Sequence, residues 1–439
     1  MIHREKKEGE FVFSTVNNLY NGQIRRITKL YTMLVLILPV TTIYASPLPS
    51  ISIGEIIILF MMVVCLFDMI RSKMLYLDMS PFLSYLLYAL IISLLCGCWF
   101  TINCTSYSMS DSVERMFRDG FYFAIVVMFS PKYFDFEFGK KLLEKISFFL
   151  CAFVITQFLV YLATRIYIPG VIPWLKTTIS GGFTGAELSA KFVSNANIDG
   201  FVRAPGFFSE PAVVAQFLSI SLLCVLFPIY GKAEYKKAIL YSVTMLITFS
   251  VNAYVALLVC WGLWTIYSNR GNRDKVIRII LFIILAIVGF IVLMKNDKTA
   301  SVISRLIELK NGGRTSGSSV LRVVRGMAFY AKMPLGFQIF GSGFGNFVQF
   351  KSMYDINTIY EVADEYMNTN AYVLISSGII GFILYIMALF KSAKGKIILS
   401  SMIAIIVLVF GLSSSIYSSA VYAIMLTFLI TAPRKEDIL

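Results

Sequence analysis

Apolar runs long enough to enter a lipid bilayer recur along this chain, and the short segments between them are rich in lysine and arginine. A spanning helix needs roughly 20 apolar residues, fewer where neighbours shield it. Twelve such segments are read at about 30–46, 51–70, 81–100, 115–130, 146–164, 211–229, 238–250, 252–268, 279–295, 370–390, 397–412 and 418–432. Of 439 residues 58% are hydrophobic and only 15% charged. A soluble domain carries about a quarter charged residues, so the composition points to an all-α, polytopic integral membrane helical bundle. It is read as one membrane domain over 1–439, with no separate soluble unit and no internal repeat.

A net charge of +14 would suit a nucleic-acid binder, but its distribution argues against that partner. The cations sit in short runs such as Arg25-Arg26-Lys29, Lys140-Lys141-Lys145, Lys236-Lys237, Arg270-Arg273-Lys275-Arg278 and Lys391-Lys394-Lys396. That is the positive-inside pattern. With both termini cytoplasmic (arm 1–29, tail 433–439), the cytoplasmic segments hold most of the 39 Lys+Arg. Ser250-Val-Asn252 interrupts the apolar run from Ala238 to Tyr267, so two short helices are expected there. A single helix would move Arg270–Arg278 to the far side and break the bias. The first apolar run is read as an uncleaved anchor, because its charged leader is too long for a signal peptide and Ser46-Pro47 is a poor cleavage site.

Two far-side loops stand out by length, about 165–210 and 296–368. Long loops carried on a rigid scaffold are where function concentrates. The single histidine, His3, lies in the N-terminal arm, so no histidine base or ligand is available in the body of the chain. Seven cysteines fall mainly in apolar stretches, and Cys96-x-Cys98 lacks a second ligand pair, so no metal and no cofactor is expected. On the far side there is no ATP or nucleotide sugar, so a substrate must arrive already activated.

The first loop carries turn-forming Gly181-Gly182 and Asn195-Ala-Asn197 and ends in Arg203-Ala-Pro-Gly206-Phe-Phe-Ser-Glu210-Pro211. Pro211 suits the first helical position. Glu210 either favours the positive helix N-terminus, or orients Arg203 or accepts a proton from a sugar hydroxyl. Phe207-Phe208 are expected at the membrane interface. In the second loop, Ser318-Ser319 cap a helix from Val320 to about Met333, ended by Pro334. Arg322, Arg325, Phe329 and Lys332 share one face of it. That stripe either touches lipid headgroups or, with Arg203 and Arg314, grips a diphosphate, whose oxygens match guanidinium forks. Gly341-Ser-Gly343-Phe-Gly345-Asn has no following Lys-Ser/Thr and suits tight turns better than nucleotide binding. Asp364 and Glu365 are either a general base or a solvated acidic face.

Several of these stretches resemble the superfamily of O-antigen polymerases and O-antigen ligases, bacterial envelope glycosyltransferases. The similar segments are Arg203-x-x-Gly206-x-x-x-Glu210-Pro211, Thr248-Phe-Ser250-x-Asn252, and Arg322…Pro334-Leu-Gly336…Gly343-x-Gly345-Asn-Phe. Family ligases carry a histidine, then Asn, Ser or Gln, nine residues and Gly-x-x-Gly. Here Asn368 and Gly378-Ile-Ile-Gly381 fit that frame, but Met367 replaces the histidine, which favours a polymerase. Arg325 and Gly336 match an Arg-x10-Gly pattern described in family polymerases. The resemblance implies a metal-independent, inverting polymerase in the bacterial inner membrane, with both long loops periplasmic. It would transfer undecaprenyl-diphosphate-linked glycan onto a fresh lipid-linked repeat unit, alongside a flippase and a chain-length regulator. The alternatives are the ligase and a lipid-linked oligosaccharide transporter. Arg203, Glu210, Arg322, Asp364 and Glu365 are the expected catalytic residues and Arg203, Arg314, Arg322 and Arg325 the diphosphate ligands. Gly206, Pro211, Gly343, Gly345 and Asn368 would position them.

Overall fold

Capping residues start the helices where the apolar runs begin. The structure is a computed structural model describing residues 18–48, 51–73, 81–104, 107, 109–178, 182–199, 202–267, 318–354, 356 and 367–437. The described residues form helices and no named strand. In chain order they are α1 (Asn18–Thr41), α2 (Ile53–Arg71), α3 (Pro81–Asn103), α4 (Met109–Ala124), α5 (Phe136–Thr164), α6 (Gly185–Asp199), α7 (Pro211–Leu226) and α8 (Tyr235–Ile247). There follow α9 (Val251–Tyr267), α10 (Ser318–Lys332), α11 (Leu335–Phe340), α12 (Phe347–Met353), α13 (Thr369–Ala393), α14 (Ile398–Ser413) and α15 (Ala420–Thr431). α4 continues through a π-helical turn, Ile125–Phe129, into a last α-turn, Ser130–Tyr133. Ser52 and Glu55 form a reciprocal capping box on α2, and Asp135, Asn368 and Ser419 cap α5, α13 and α15.

Helices α2, α3, α5 and α13 are long and apolar enough to cross a membrane, and α7, α9, α14 and α15 are shorter apolar ones. The chain is thus a helical membrane protein. The segment expected at 279–295 lies outside the described residues. α7 and α15 bury almost every side chain, as helices apolar all round must. They form the centre, against which α1, α5, α8, α9 and α14 pack.

One end of the bundle is basic. There Lys132 meets Asp68 at 3.5 Å, Lys237 meets Glu144 at 2.8 Å, and Lys396 donates to the Leu429 carbonyl at 3.0 Å. At the other end the chain after α5 is stitched to the α1–α2 turn. Ala45 N–H donates to the Lys176 carbonyl at 2.9 Å and Thr178 N–H to Ile43 at 2.8 Å.

Several elements depart from the expectations. The stretch read as turns around Asn195–Asn197 lies inside α6, which a Thr184–Glu187 capping box starts. Hydrogen bonds from the Thr184 backbone and hydroxyl hold the Glu187 carboxyl below its usual range. α4 and α5 begin well before 115 and 146, because their first turns are amphipathic and a count of apolar residues passes over them. The expected break inside 238–268 is present, with Phe249 at φ 48° between α8 and α9.

α13 is a broken helix. Gly378 adopts φ 65°, ψ −175°, which frees the carbonyls before it. The glycine loop answers them: Ser342 N–H donates to Ile375 at 3.0 Å and Gly343 N–H to Ser376 at 2.9 Å. Within a bilayer such groups have no water to turn to, so loop and break form one unit. A Cβ on Gly378 would lie 2.2 Å from the Ile339 carbonyl oxygen. Gly378→Ala should lower stability by about 1–3 kcal/mol from backbone strain alone. Gly120→Ala, in open helical space, should leave it unchanged or slightly higher. Thermal unfolding of both variants in detergent checks this, and equal melting points would count against the paired unit.

Candidate functional site

Four polar residues recur at i, i+3, i+4 and i+7 along α4: Arg115, Arg118, Asp119 and Tyr122. That spacing sets them on one helical face. Arg115 Nε lies 3.7 Å from Asp119 Oδ1 and donates to the Tyr372 hydroxyl of α13 at 2.9 Å. Its guanidinium also stacks 5.0 Å from the Tyr372 ring centroid. Asp119 is buried and accepts a hydrogen bond from the Ser418 hydroxyl in the α14–α15 turn. Arg118 reaches Glu55 of α2 at 3.7 Å, and Tyr122 donates to the same carboxylate at 2.8 Å. Two arginines and two carboxylates therefore meet where α2, α4, α13 and the α14–α15 turn converge.

Depth makes this cluster unusual. α15 has 12 residues, which at 1.5 Å each is about 18 Å from the basic end up to the turn that holds Ser418. The helical path from Tyr133 back to Asp119 gives about 20 Å. With the basic end at one boundary of a hydrocarbon core of about 30 Å, the pair lies about 20 Å from it, near the level of the first turn of α2, which holds Glu55. Charges at such depth are rare and mark function by default. Helices α7, α14 and α15, of 16, 16 and 12 residues, are shorter than α3 and α5, of 23 and 29.

A cavity of about 240 Å³ lies between α3 and α4, lined by apolar side chains including Leu86, Leu90, Phe123 and Met128. Among the described residues that line it Asp119 is the one that carries a charge, and Tyr417 borders it as well. Tyr417 is tied to Tyr85 through their hydroxyls, 2.7 Å apart. The arrangement sets an apolar groove beside the charged cluster.

Gly206 turns at φ 62°, its N–H donating to Gln157 Oε1 at 2.9 Å and its carbonyl accepting from Nε2 at 3.2 Å. This fixes the loop that bears half-buried Arg203, which lies within electrostatic range of Tyr254. Pro211 opens α7 as expected, while Glu210 is exposed at the cap position with no capping bond from its side chain. Phe208 is not interfacial: it is fully buried against Phe217, because the Gly206 turn folds it inward.

On α10, Arg325 and Phe329 are buried and Lys332 is exposed. The expected basic stripe thus runs from the packed interior out to the surface. A Cβ on Gly326 would lie 3.5 Å from Met367 Cβ, so α10 docks on the first turn of α13. Asn368 caps that turn, accepting from Ala371 N–H at 2.8 Å. Tyr372, the partner of Arg115, lies one turn further on. Gly343 and Gly345 take φ 80° and 79° in the loop that seals α13, and Asn346 there accepts from the Tyr107 hydroxyl at 2.8 Å. Arg314, Asp364 and Glu365 lie outside the described residues, as does the side chain of Arg322.

The sequence did not single out Arg115, Arg118 and Asp119, and Glu55 reads there only as a charge near a helix end. A charged heptad-like recurrence at the head of an apolar segment was the available signal. No family model matches the chain, and no curated protein matches it. Among the described residues no cluster of His, Cys, Asp and Glu could hold a metal ion.

Breaking a buried pair by removing one partner costs about 3–5 kcal/mol. Arg115 keeps 29% side-chain exposure, so Arg115→Ala should fall at or below the low end of that range. Adding Asp119→Asn should restore most of the loss, because the stranded charge is removed. Unfolding measurements on the two single variants and the double variant check it. Additive losses would show that the two residues do not act as a pair.

Proposed function

We propose that this chain is a membrane polymerase of envelope polysaccharide, the reading its motifs resemble. It acts on glycan carried by undecaprenyl diphosphate. The observation that supports it is the Arg115–Asp119 pair beside an apolar groove between α3 and α4. In this reading the groove between α3 and α4 takes the first isoprene units of the carrier. Arg115 and Arg118 hold the diphosphate, with Arg203, Arg314, Arg322 and Arg325 contacting it from the two long loops. The acceptor sugar hydroxyl attacks the anomeric carbon from the face opposite the diphosphate. The carbon–oxygen bond to the carrier breaks, and the diphosphate keeps the electron pair.

The hydroxyl proton passes to a carboxylate. Asp119 suits this role because it is buried and held by Arg115 and Ser418. Glu210, Asp364 and Glu365 remain the candidates supplied by the loops. Guanidinium groups placed where charge develops on the leaving group lower the barrier without having to reorganise. A ligase reading is weakened because buried Met367 stands where ligases carry histidine. One observation favours a second reading: a transporter of lipid-linked oligosaccharide would also place an ion pair below the membrane surface.

A deletion strain examined on a lipopolysaccharide gel separates these readings. A core capped by a single repeat unit is the expected result. Bare core with polymer left on the carrier would indicate a ligase, and bare core with unpolymerised carrier-bound units a transporter. Restoring the gene with Asp119→Asn should leave the single-unit band while the protein stays in the membrane. Exposed Glu114→Gln should return the full ladder. A normal ladder from Asp119→Asn would remove that carboxylate from the chemistry.

A further inference from the structure

At the basic end, far from the Arg115–Asp119 pair, α5 and α8 line a second, partly open cavity of about 510 Å³. α5 contributes Lys141, Glu144, Lys145 and Phe148, spaced i, i+3, i+4 and i+7 and therefore on one face. α8 contributes Lys237 and Tyr241 one turn apart. From Lys141 to Phe148 the helix rises about 10 Å, so the lining changes from cationic to aromatic along the membrane normal. Phe148 and Phe149 are exposed to the surroundings of the bundle below the lysines.

The lysines are not equivalent. Lys237 is held between Glu144 at 2.8 Å and Glu234 at 2.7 Å, and the two carboxylates raise its pKa. Among the described residues no ion pair joins Lys141 or Lys145 to a carboxylate. The cavity therefore has one lysine fixed by carboxylates and two that no ion pair holds. Lys29 adds a further cation at 5.7 Å over the ring of Phe138, which also lines the cavity.

We propose that this cavity binds the phosphate headgroup of an anionic phospholipid, with the glycerol and upper acyl carbons against Phe148. Three features select that occupant. The unpaired ammonium groups complement a phosphodiester. The aromatic floor continues into the apolar surface of a membrane-length helix. Basic pockets between membrane helices on the positive side bind such headgroups. A soluble anion would leave the aromatic floor without a partner. The site is independent of the proposed polymerase activity.

The full-length protein, purified in detergent, is to be examined by native mass spectrometry with phosphatidylglycerol, cardiolipin or phosphatidylcholine added. Retention of the anionic lipids over phosphatidylcholine is expected. K141Q/K145Q should weaken that retention at least tenfold, and K141R/K145R should keep it. Lys391 and Lys394 lie at the same end but outside the cavity, so K391Q/K394Q should behave as the parent. Equal weakening in K391Q/K394Q, or no weakening in K141Q/K145Q, overturns the proposal. Inorganic phosphate displacing the lipid at equal concentration would likewise overturn it, since the site would then read only a free anion.

Discussion

Within hydrocarbon a backbone polar group has no water to bond, and the architecture follows from that constraint. α13 is interrupted at Gly378, and the carbonyls set free at Ile375 and Ser376 are answered by the N–H groups of Ser342 and Gly343. The answering loop is itself anchored, with Phe344 N–H on the Ser93 hydroxyl and Asn346 on Tyr107. Breaking the helix lets its first half and the α14–α15 turn meet inside the bundle. Thr369 N–H bonds the Ser414 carbonyl, and the Thr369 hydroxyl accepts from Ile416 N–H. Fixed irregular backbone at this depth forms the floor on which charged side chains rest.

Short central helices do the rest. Because α15 and α7 end well inside a bilayer's thickness, polar side chains reach a level that straight spanning helices would have filled with leucine and valine. Arg115 and Asp119 are stabilised there by each other, by Tyr372 and by Ser418. Arg118 and Tyr122 repeat the pattern on Glu55. The same face of α4 thus joins α2 to α13 and the α14–α15 turn. In the proposed function the apolar tail of a lipid-borne diphosphate lies in the groove between α3 and α4 and its charge meets the guanidinium groups.

Much of the scaffold was legible in the amino-acid order. The apolar runs, the break near Ser250, Pro211 at a helix start and a helix before Pro334 follow from local rules of hydrophobicity, capping and turn chemistry, although Ser318 and Ser319 lie inside that helix and not ahead of it. The tight-turn reading of Gly341–Gly345 was legible too, since three glycines at positive φ have few other uses. The charged cluster was not. Arg115 and Asp119 look like the polar margin of a spanning segment, and only the shortness of distant α15 places them at depth. Asn195–Asn197 misled in the opposite direction, because a capping box nearby outweighs the turn preference of asparagine. Tertiary distance is the information that local pattern lacks.

The proposed function places a lipid diphosphate against the Arg115–Asp119 pair and the neighbouring α14–α15 turn, on the far side of the membrane. Ser415, exposed in that turn, permits a direct measurement. Ser415→Cys is to be labelled in spheroplasts with a membrane-impermeant maleimide, with and without added undecaprenyl diphosphate, and compared with the parent chain. Labelling above the parent that the lipid suppresses is the predicted result. Labelling that appears only after the membrane is dissolved, or that the lipid leaves untouched, would contradict the account.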